Sequence, residues 1–332
     1  MPHRTAKQIY TVLQNAKRVM LVPHQNPDGD ALGSATALMH FLHQNDTQFD
    51  GFCATPVPPR HKYLPHIERV TNDAALWRPD VYDTLIVVDS GSLRYAGIDM
   101  HLSKLERRPT IINIDHHDTN EMFGDLNLVI PKASATTEVL YNFFKVNEAP
   151  VNDRIATSLL TGLITDTDNF TNAGTTVAAL QIASELIKKG ADANIIKNLM
   201  FKDKSVNVLK LWGVALSRLT KDEARDIVYT SITQNDLKTL GVSEDDVDGI
   251  TNFLNNVSEG KARLLLKERP DRQVKGSFRA TRDDVDVAKI CEALGGGGHQ
   301  KAAGFTVPGT VDEAIKKVWE AVESMSTKNE RN

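Results

Sequence analysis

The segment His24-Gln25-Asn26-Pro27-Asp28-Gly29-Asp30-Ala31-Leu32-Gly33-Ser34 follows the apolar run Val19-Met20-Leu21-Val22 and sets one imidazole and two carboxylates in a tight turn. The pattern predicts a buried strand with three potential ligands at its C-terminal edge, which is where open α/β sheets place what they bind. Three further apolar runs end in the same way. Leu85-Ile86-Val87-Val88 precedes Asp89, Ile111-Ile112-Asn113-Ile114 precedes Asp115-His116-His117, and Leu159 to Thr165 precede Asp166. Four segments thus deliver acidic or imidazole side chains to one place.

Around these motifs, from Thr5 to about Phe170, β-branched runs alternate with amphipathic helical patterns, the signature of an α/β domain with a parallel sheet and helices on both faces. A helix is expected to start near Asp30, another to carry Thr136 to Phe144, and a third to run from Asn152 toward Asp166. After Thr175 the pattern turns continuously helical. We read residues 1–190 as the first domain, 191–214 as a helical connector and 215–328 as a smaller α+β domain, with a cleft expected between the two domains. In the second domain Ile227 to Ile232 reads as a strand and Asp245 to Val257 as a helix. Ala262 to Lys267 with Gln273 to Ala280 reads as a hairpin turning at Pro270-Asp271. Four successive glycines, Gly295 to Gly298, then precede His299, and so costly a run in conformational entropy implies a close approach to the backbone.

Composition narrows the classes. A length of 332 residues with 41% hydrophobic content suits two folded domains. The 39 basic and 43 acidic residues leave a net charge of -4, which argues against long duplex nucleic acid as a partner but permits a short anionic substrate in a local positive pocket. Cys53 and Cys291 are far apart and suggest neither a disulfide framework nor a thiolate metal site. With no apolar signal core and no stretch near the ~20 residues a membrane span needs, the expectation is a soluble, cytoplasmic protein.

Carboxylates and imidazoles without thiolates favour hard to intermediate divalent ions such as Mn²⁺ or Mg²⁺. His24, Asp28, Asp30, Asp89, His116, His117 and Asp166 are too many ligands for one octahedral ion that must also take substrate and water. Two ions ~3.5–4 Å apart sharing a bridging carboxylate accommodate them, an arrangement suited to phosphoryl hydrolysis. Taken singly, Asp30 and Asp166 read as ordinary caps and Asp89-Ser90-Gly91 as a strand-end turn. Their combination with His24 and the His116-His117 pair reverses that reading. His3, His40, His43, His61, His66 and His101 read as surface residues, and Trp77, Trp212 and Trp319 as packing residues. Arg94 is balanced between a substrate phosphate and a surface ion pair.

His-x-x-x-Asp-Gly-Asp, a lone strand-end Asp, Asp-His-His, a helix-borne Asp and Gly-Gly-Gly-His-x-x-Ala-Ala-Gly together resemble the DHH phosphoesterase superfamily over nearly the whole chain. Within it, the length and the glycine loop look most like the branch of nanoRNases and 3′-phosphoadenosine-5′-phosphate (pAp) phosphatases. The resemblance implies two divalent ions, Mn²⁺ first with Mg²⁺ or Co²⁺ as alternatives. It assigns His24, Asp28 and Asp89 to one ion and Asp30, Asp89, His116 and Asp166 to the other. His117 is then left to donate a proton or hydrogen bond to the phosphoryl group or leaving oxygen, and Asp115 to orient a histidine. On the second domain it points to Arg279, Gly296, Gly297, Gly298 and His299 as the nucleotide-binding side, with Lys275 and Lys301 as helpers.

The implied activity is hydrolysis of short oligoribonucleotides and pAp to nucleoside 5′-monophosphates, with the span of the cleft acting as a length gauge. The alternatives are a phosphodiesterase for cyclic or linear dinucleotides (c-di-AMP, pApA, pGpG), a RecJ-type single-strand exonuclease, and a non-catalytic nucleotide sensor. A homodimer through the first domain is also implied. Two positions depart from the family pattern: Asp168 stands where a glycine is usual, and Ala280 where a serine often follows the arginine.

Overall fold

The computed structural model describes residues 2–78, 81–172, 174–201, 205–244, 247, 250–254, 257–282 and 284–329. The chain divides into two compact units, 1–203 and 204–332, the division falling inside the expected connector. The first unit runs α1 (His3–Asn15), β1 (Arg18–Pro23), α2 (Gly29–Gln44), β2 (Gln48–Phe52), β3 (Val70–Thr71), β4 (Thr84–Val88), α3 (Asp99–Leu102), β5 (Thr110–Asp115), β6 (Leu126–Val129), α4 (Thr136–Val146), α5 (Asp153–Asp166), α6 (Val177–Lys188) and α7 (Ala193–Phe201). The second runs α8 (Val206–Ser217), β7 (Thr220–Asp222), β8 (Ile227–Ile232), α9 (Gln234–Leu240), α10 (Ile250–Phe253), β9 (Ala262–Glu268), β10 (Gln273–Ala280), α11 (Val287–Ala293), β11 (Gly297–His299), β12 (Ala302–Pro308) and α12 (Val311–Asn329).

The first unit is a wholly parallel six-stranded sheet in the order β3-β2-β1-β4-β5-β6. Alternate residues of the central strands enter different cores, as a sheet buried on both faces requires. Val19, Leu21, Ile86 and Val88 meet α1, α2, α4 and α5, whereas Met20, Val22, Leu85 and Val87 meet Phe52, Ala96 and Ile98 beside the short α3. The strand order reverses between β1 and β4, the switch point at which doubly wound sheets open a crevice. Register pairs Pro23 with Val88, so His24 and Asp89 leave the sheet side by side. Val88 pairs with Ile114, which brings in Asp115-His116-His117 from the next strand.

Helices α2 and α5 complete that edge, and small residues let them pack closely. A Cβ at Gly33 would strike the Ser158 carbonyl oxygen, and one at Gly162 would overlap Asp30 Oδ1 and the Thr137 side chain. The expected continuous helix after Thr175 is instead broken: Gly190 takes a positive φ of 94°, and Asp192 Oδ1 accepts the amides of Asn194 and Ile195 to start α7. The bland reading of two histidines also needs correction. His40 and His61 are buried, not on the surface: His40 lies among His66, His43 and Asn152, and His61 sits in a short 3₁₀ turn after Pro58 with no hydrogen-bond partner for either ring nitrogen among the described residues.

The second unit is α+β, with sheet order β11-β12-β10-β9-β8-β7, antiparallel except for β8 beside β9. One face packs on α11 and α12 and the other on α8 to α10. Within the expected 245–257 helix only α10 is assigned; residues 245, 246, 248, 249, 255 and 256 lie outside the described residues.

Because the obstacle at Gly33 is backbone and not a flexible side chain, Gly33→Ala should force α2 from α5 and lower unfolding stability by about 1–3 kcal/mol. Urea denaturation reads this. A wild-type midpoint would show that the two helices do not depend on that approach.

Candidate metal centre

At the switch point each side chain is held by its own local structure. Asp28, not Asp30, is the N-cap of α2: its Oδ1 accepts the Asp30 and Ala31 amides at 2.9 and 3.0 Å. Asp30 crosses to another helix. Ala135, at the N-cap of α4, offers no capping side chain, and Asp30 takes its place, Oδ2 accepting the Thr136 amide (2.6 Å) and Oδ1 the Thr137 amide and hydroxyl (3.0 and 2.7 Å). Oδ1 thus has both lone pairs occupied, and Oδ2 keeps one free. Asp89 follows β4 in a left-handed conformation (φ 56°), and its Oδ1 accepts the Thr136 hydroxyl at 2.8 Å.

Both flanking histidines have their protons fixed. His24 Nδ1 lies 2.8 Å from the Gln25 carbonyl oxygen, and His116 Nδ1 lies 3.2 Å from that of Ala133. A ring nitrogen facing a carbonyl must donate, which directs each Nε2 into the cluster, where an ion would take the place of its proton, the usual arrangement of a metal-ligating histidine. His24 Nε2 is 3.6 Å from Asp89 Oδ2 and 3.8 Å from Asp28 Oδ1. His116 Nε2 is 3.7 Å from Asp89 Oδ1 and 3.3 Å from Asp166 Oδ2. Each Asp89 oxygen therefore faces a different histidine. Two of the sets whose atoms could hold an ion are His24-Asp28-Asp89 and Asp30-His116-Asp166; a third is Asp89-His116-His117.

His117 and Asp115 stand apart in role. Asp115, fully buried, accepts His117 Nδ1 (2.7 Å) and the His116 amide (2.8 Å) on Oδ1 and the Asn120 amide nitrogen (2.6 Å) on Oδ2. Its hydrogen bond raises the His117 pKa to about 9. The imidazolium so favoured leaves its Nε2–H directed away from Asp115.

The charge distribution shows what the cluster is suited to. Burial and the neighbouring Asp89 and Asp28 carboxylates push Asp166 up to about 8, and burial with the Asp89 and Asp166 charges holds Asp30 well above the carboxylate range. Burial opposes the His24 imidazolium, but the Asp89 and Asp28 carboxylates outweigh it and raise its pKa to about 9. The site thus retains protons where a cation would replace them.

Sequence reasoning missed Thr136, Thr137 and Asn120. Their signal is weak: two threonines opening a helix whose N-cap position is Ala135, and an Asn five residues after Asp115. The position where a glycine is usual also gains an explanation, because Asp168, Asn169 and Phe170 have φ of 49°, 57° and 65°. Three successive side-chain-bearing residues in left-handed conformation strain the turn that follows Asp166. Arg94 is exposed, with no carboxylate partner among the described residues.

On the second unit Arg279 is half-buried on β10. Its Nη1 donates to the Phe278 carbonyl oxygen at 2.9 Å, and among the described residues no carboxylate pairs with it. In the glycine run, β12 itself makes the close approach at two positions. A Cβ at Gly296 would strike the Gly304 carbonyl oxygen, and one at Gly298 (φ 146°) the Ala303 backbone, whereas Gly297 faces open space. His299 lies on β11 with its backbone paired to Ala302; its side chain lies outside the described residues.

The sequence matches the DHH family, N-terminal domain, over residues 18–163, and the DHHA1 domain over residues 227–324. It is 30% identical over 313 residues to the bifunctional oligoribonuclease and PAP phosphatase NrnA of Thermus thermophilus, covering 93% of this chain and 90% of that one. The chain belongs to the DHH family. The Bacillus subtilis protein of the same description is 25% identical over 295 residues, covering 87% of this DHH chain and 89% of its own. Among solved structures, an exopolyphosphatase-related protein of Bacteroides fragilis shares the fold with a TM-score of 0.87 at 24% identity, over 97% and 96% of the two chains. DHH phosphoesterases use divalent metals, and the ligand-bearing clusters at the switch point could hold them.

Metal binding requires the ligands to lose their protons, so it should release protons as the ion enters. With His24 near 9 and Asp166 near 8, at least two protons compete below pH 8. Affinity for each ion should therefore fall as pH falls, by about tenfold per unit below 8 for each protonated ligand it displaces. Calorimetry in buffers of different ionisation enthalpy reads both quantities; an affinity flat from pH 6 to 9 would show that these groups do not bind the ion.

Proposed function

We propose that this chain is a two-metal phosphoesterase that hydrolyses short oligoribonucleotides and pAp to nucleoside 5′-monophosphates. The observation that carries the reading is Asp89, whose two oxygens face His24 and His116 from between two sets of donors. His24, Asp28 and Asp89 would hold one ion and Asp30, Asp89, His116 and Asp166 the other. The donor set fits: it is all oxygen and imidazole nitrogen, both histidines turn Nε2 into the cluster, and Asp30 Oδ2 keeps one lone pair. This chemistry suits Mn²⁺, with Mg²⁺ or Co²⁺ as alternatives. Ions held there would supply Lewis acidity, lowering the pKa of water and offsetting charge on the phosphoryl oxygens.

The chain's own residues do the rest. Water gives up a proton to solvent as it attacks phosphorus, the bond from phosphorus to O3′ breaks, and the departing O3′ takes a proton from His117 Nε2, which Asp115 keeps charged near neutral pH. The same bond breaks in both substrates. Cutting it in an oligoribonucleotide frees a nucleotide with a 3′-hydroxyl, and cutting it in pAp leaves AMP and phosphate. Thr136 and Asn120 hold Asp89 and Asp115 in place, so neither carboxylate must reorient during the reaction. Arg279, without a carboxylate partner among the described residues, offers a planar fork to a substrate phosphate, and the Gly296-Gly297-Gly298 strand with His299 is the neighbouring nucleotide contact. The names of the Thermus and Bacillus relatives support the substrate class.

Incubation with Mn²⁺ and either pAp or an RNA ladder of increasing length should release mononucleotide fastest from pAp and the shortest RNAs. c-di-AMP, offered in competition, should be turned over more slowly. Turnover confined to long strands or to the cyclic dinucleotide would contradict the reading.

A further inference from the structure

Tyr95 places its ring beside His24 at the edge of the cluster. The ring stacks on the His24 imidazole with centroids 5.0 Å apart and planes 28° from parallel. The residue is nonetheless exposed, at 47%. Among the described residues its hydroxyl has no hydrogen-bond partner. A tyrosine serving only as packing would hide both faces and satisfy its hydroxyl; this one stacks on His24 and keeps nearly half of its surface in solvent.

The turn beneath it is firmly held. The Tyr95 amide donates to Ser92 Oγ at 3.1 Å, and its carbonyl oxygen accepts the Gln25 amide at 3.3 Å, which ties the turn to the ligand loop after β1. The Ala96 and Gly97 amides donate to the Ser92 and Arg94 carbonyl oxygens, and Ala96 and Ile98 are buried on either side of Gly97. Gly97 has φ 73°, and a Cβ there would strike the Ala54 side chain. The exposed ring therefore stands on fixed backbone, so stacking on it costs little ordering entropy.

Geometry then narrows its use. His24 Nε2 points along its ring plane toward Asp28 and Asp89, so a phosphate bound there lies at the edge of the imidazole. The Tyr95 ring is close to parallel to that plane and displaced to one side of it. Building on the phosphoesterase reading, we propose that Tyr95 is a specificity-determining residue whose outer face stacks on the nucleobase of the nucleotide whose phosphate occupies the His24 side of the centre. Base–aromatic stacking is tolerant of base identity, which suits an enzyme acting on mixed short oligonucleotides.

The test uses the full-length, Mn²⁺-loaded protein as wild type, Tyr95→Ala and Tyr95→Phe. Substrates are pApA and its two analogues lacking one adenine or the other, with AMP and ribose 5-phosphate as equilibrium ligands. Tyr95→Ala should raise KM for pApA ~10- to 100-fold. It should shift KM by less than about threefold on the analogue that lacks the stacked base, and Tyr95→Phe should recover most of the loss. Mn²⁺ affinity should be the same in all three proteins. The preference for AMP over ribose 5-phosphate should shrink in Tyr95→Ala, a readout that stands even if pApA is not turned over. Equal losses on all three substrates, weakened Mn²⁺ binding or an unchanged AMP preference would each overturn the proposal and leave Tyr95 as a wedge behind His24.

Discussion

A single buried carboxylate, that of Asp89, sets the terms for the rest of the first unit. It lies at the end of β4, beside the β1–β4 switch point, and is almost wholly excluded from solvent. A charge so placed is tolerable only if every oxygen is answered. Oδ1 accepts the Thr136 hydroxyl and faces His116 and His117, and Oδ2 faces His24. Burial alone would raise its pKa, yet the three imidazoles draw it below the ordinary value, so Asp89 stays ionised. Its left-handed backbone turns the carboxylate back over the sheet edge.

The neighbouring acids follow from that anchor. Asp30 and Asp166 come from two helices that approach closely because Gly33 and Gly162 leave room, and both are held up in pKa by burial and by Asp89. Capping of α4 by Asp30 joins a ligand loop to a structural helix, so the centre and the core share residues. An isolated helix cap contributes about 1 kcal/mol, which is small against the cost of a buried carboxylate that lacks partners. The arrangement is therefore better explained by what the acids bind than by the helix they cap.

Much of this was legible from apolar runs ending in acids or histidines, because strand period and side-chain chemistry are local properties. The acids and histidines that follow β1, β4 and β5, and the helices beginning near Asp30, Thr136 and Asn152, lie where the pattern places them. Contacts distant in sequence were not legible. Asp30 reaches Thr136 and Thr137 across more than a hundred residues, and the local signal of two threonines after Ala135 does not point to that partner. His40 and His61 read as polar surface because their burial depends on residues brought in from elsewhere. The glycine run implies a close approach to the backbone, and at Gly296 and Gly298 the approaching backbone is β12; only pairing of the strands reveals that.

The central claim is that one carboxylate joins two ions, and metal stoichiometry tests it most directly. Mn²⁺ binding to the wild type and to Asp89→Ala, followed by calorimetry with circular dichroism to confirm the fold, should give two sites per chain in the first and loss of tight binding at both in the second. One site in the wild type, or two sites surviving in a folded Asp89→Ala protein, would contradict the account.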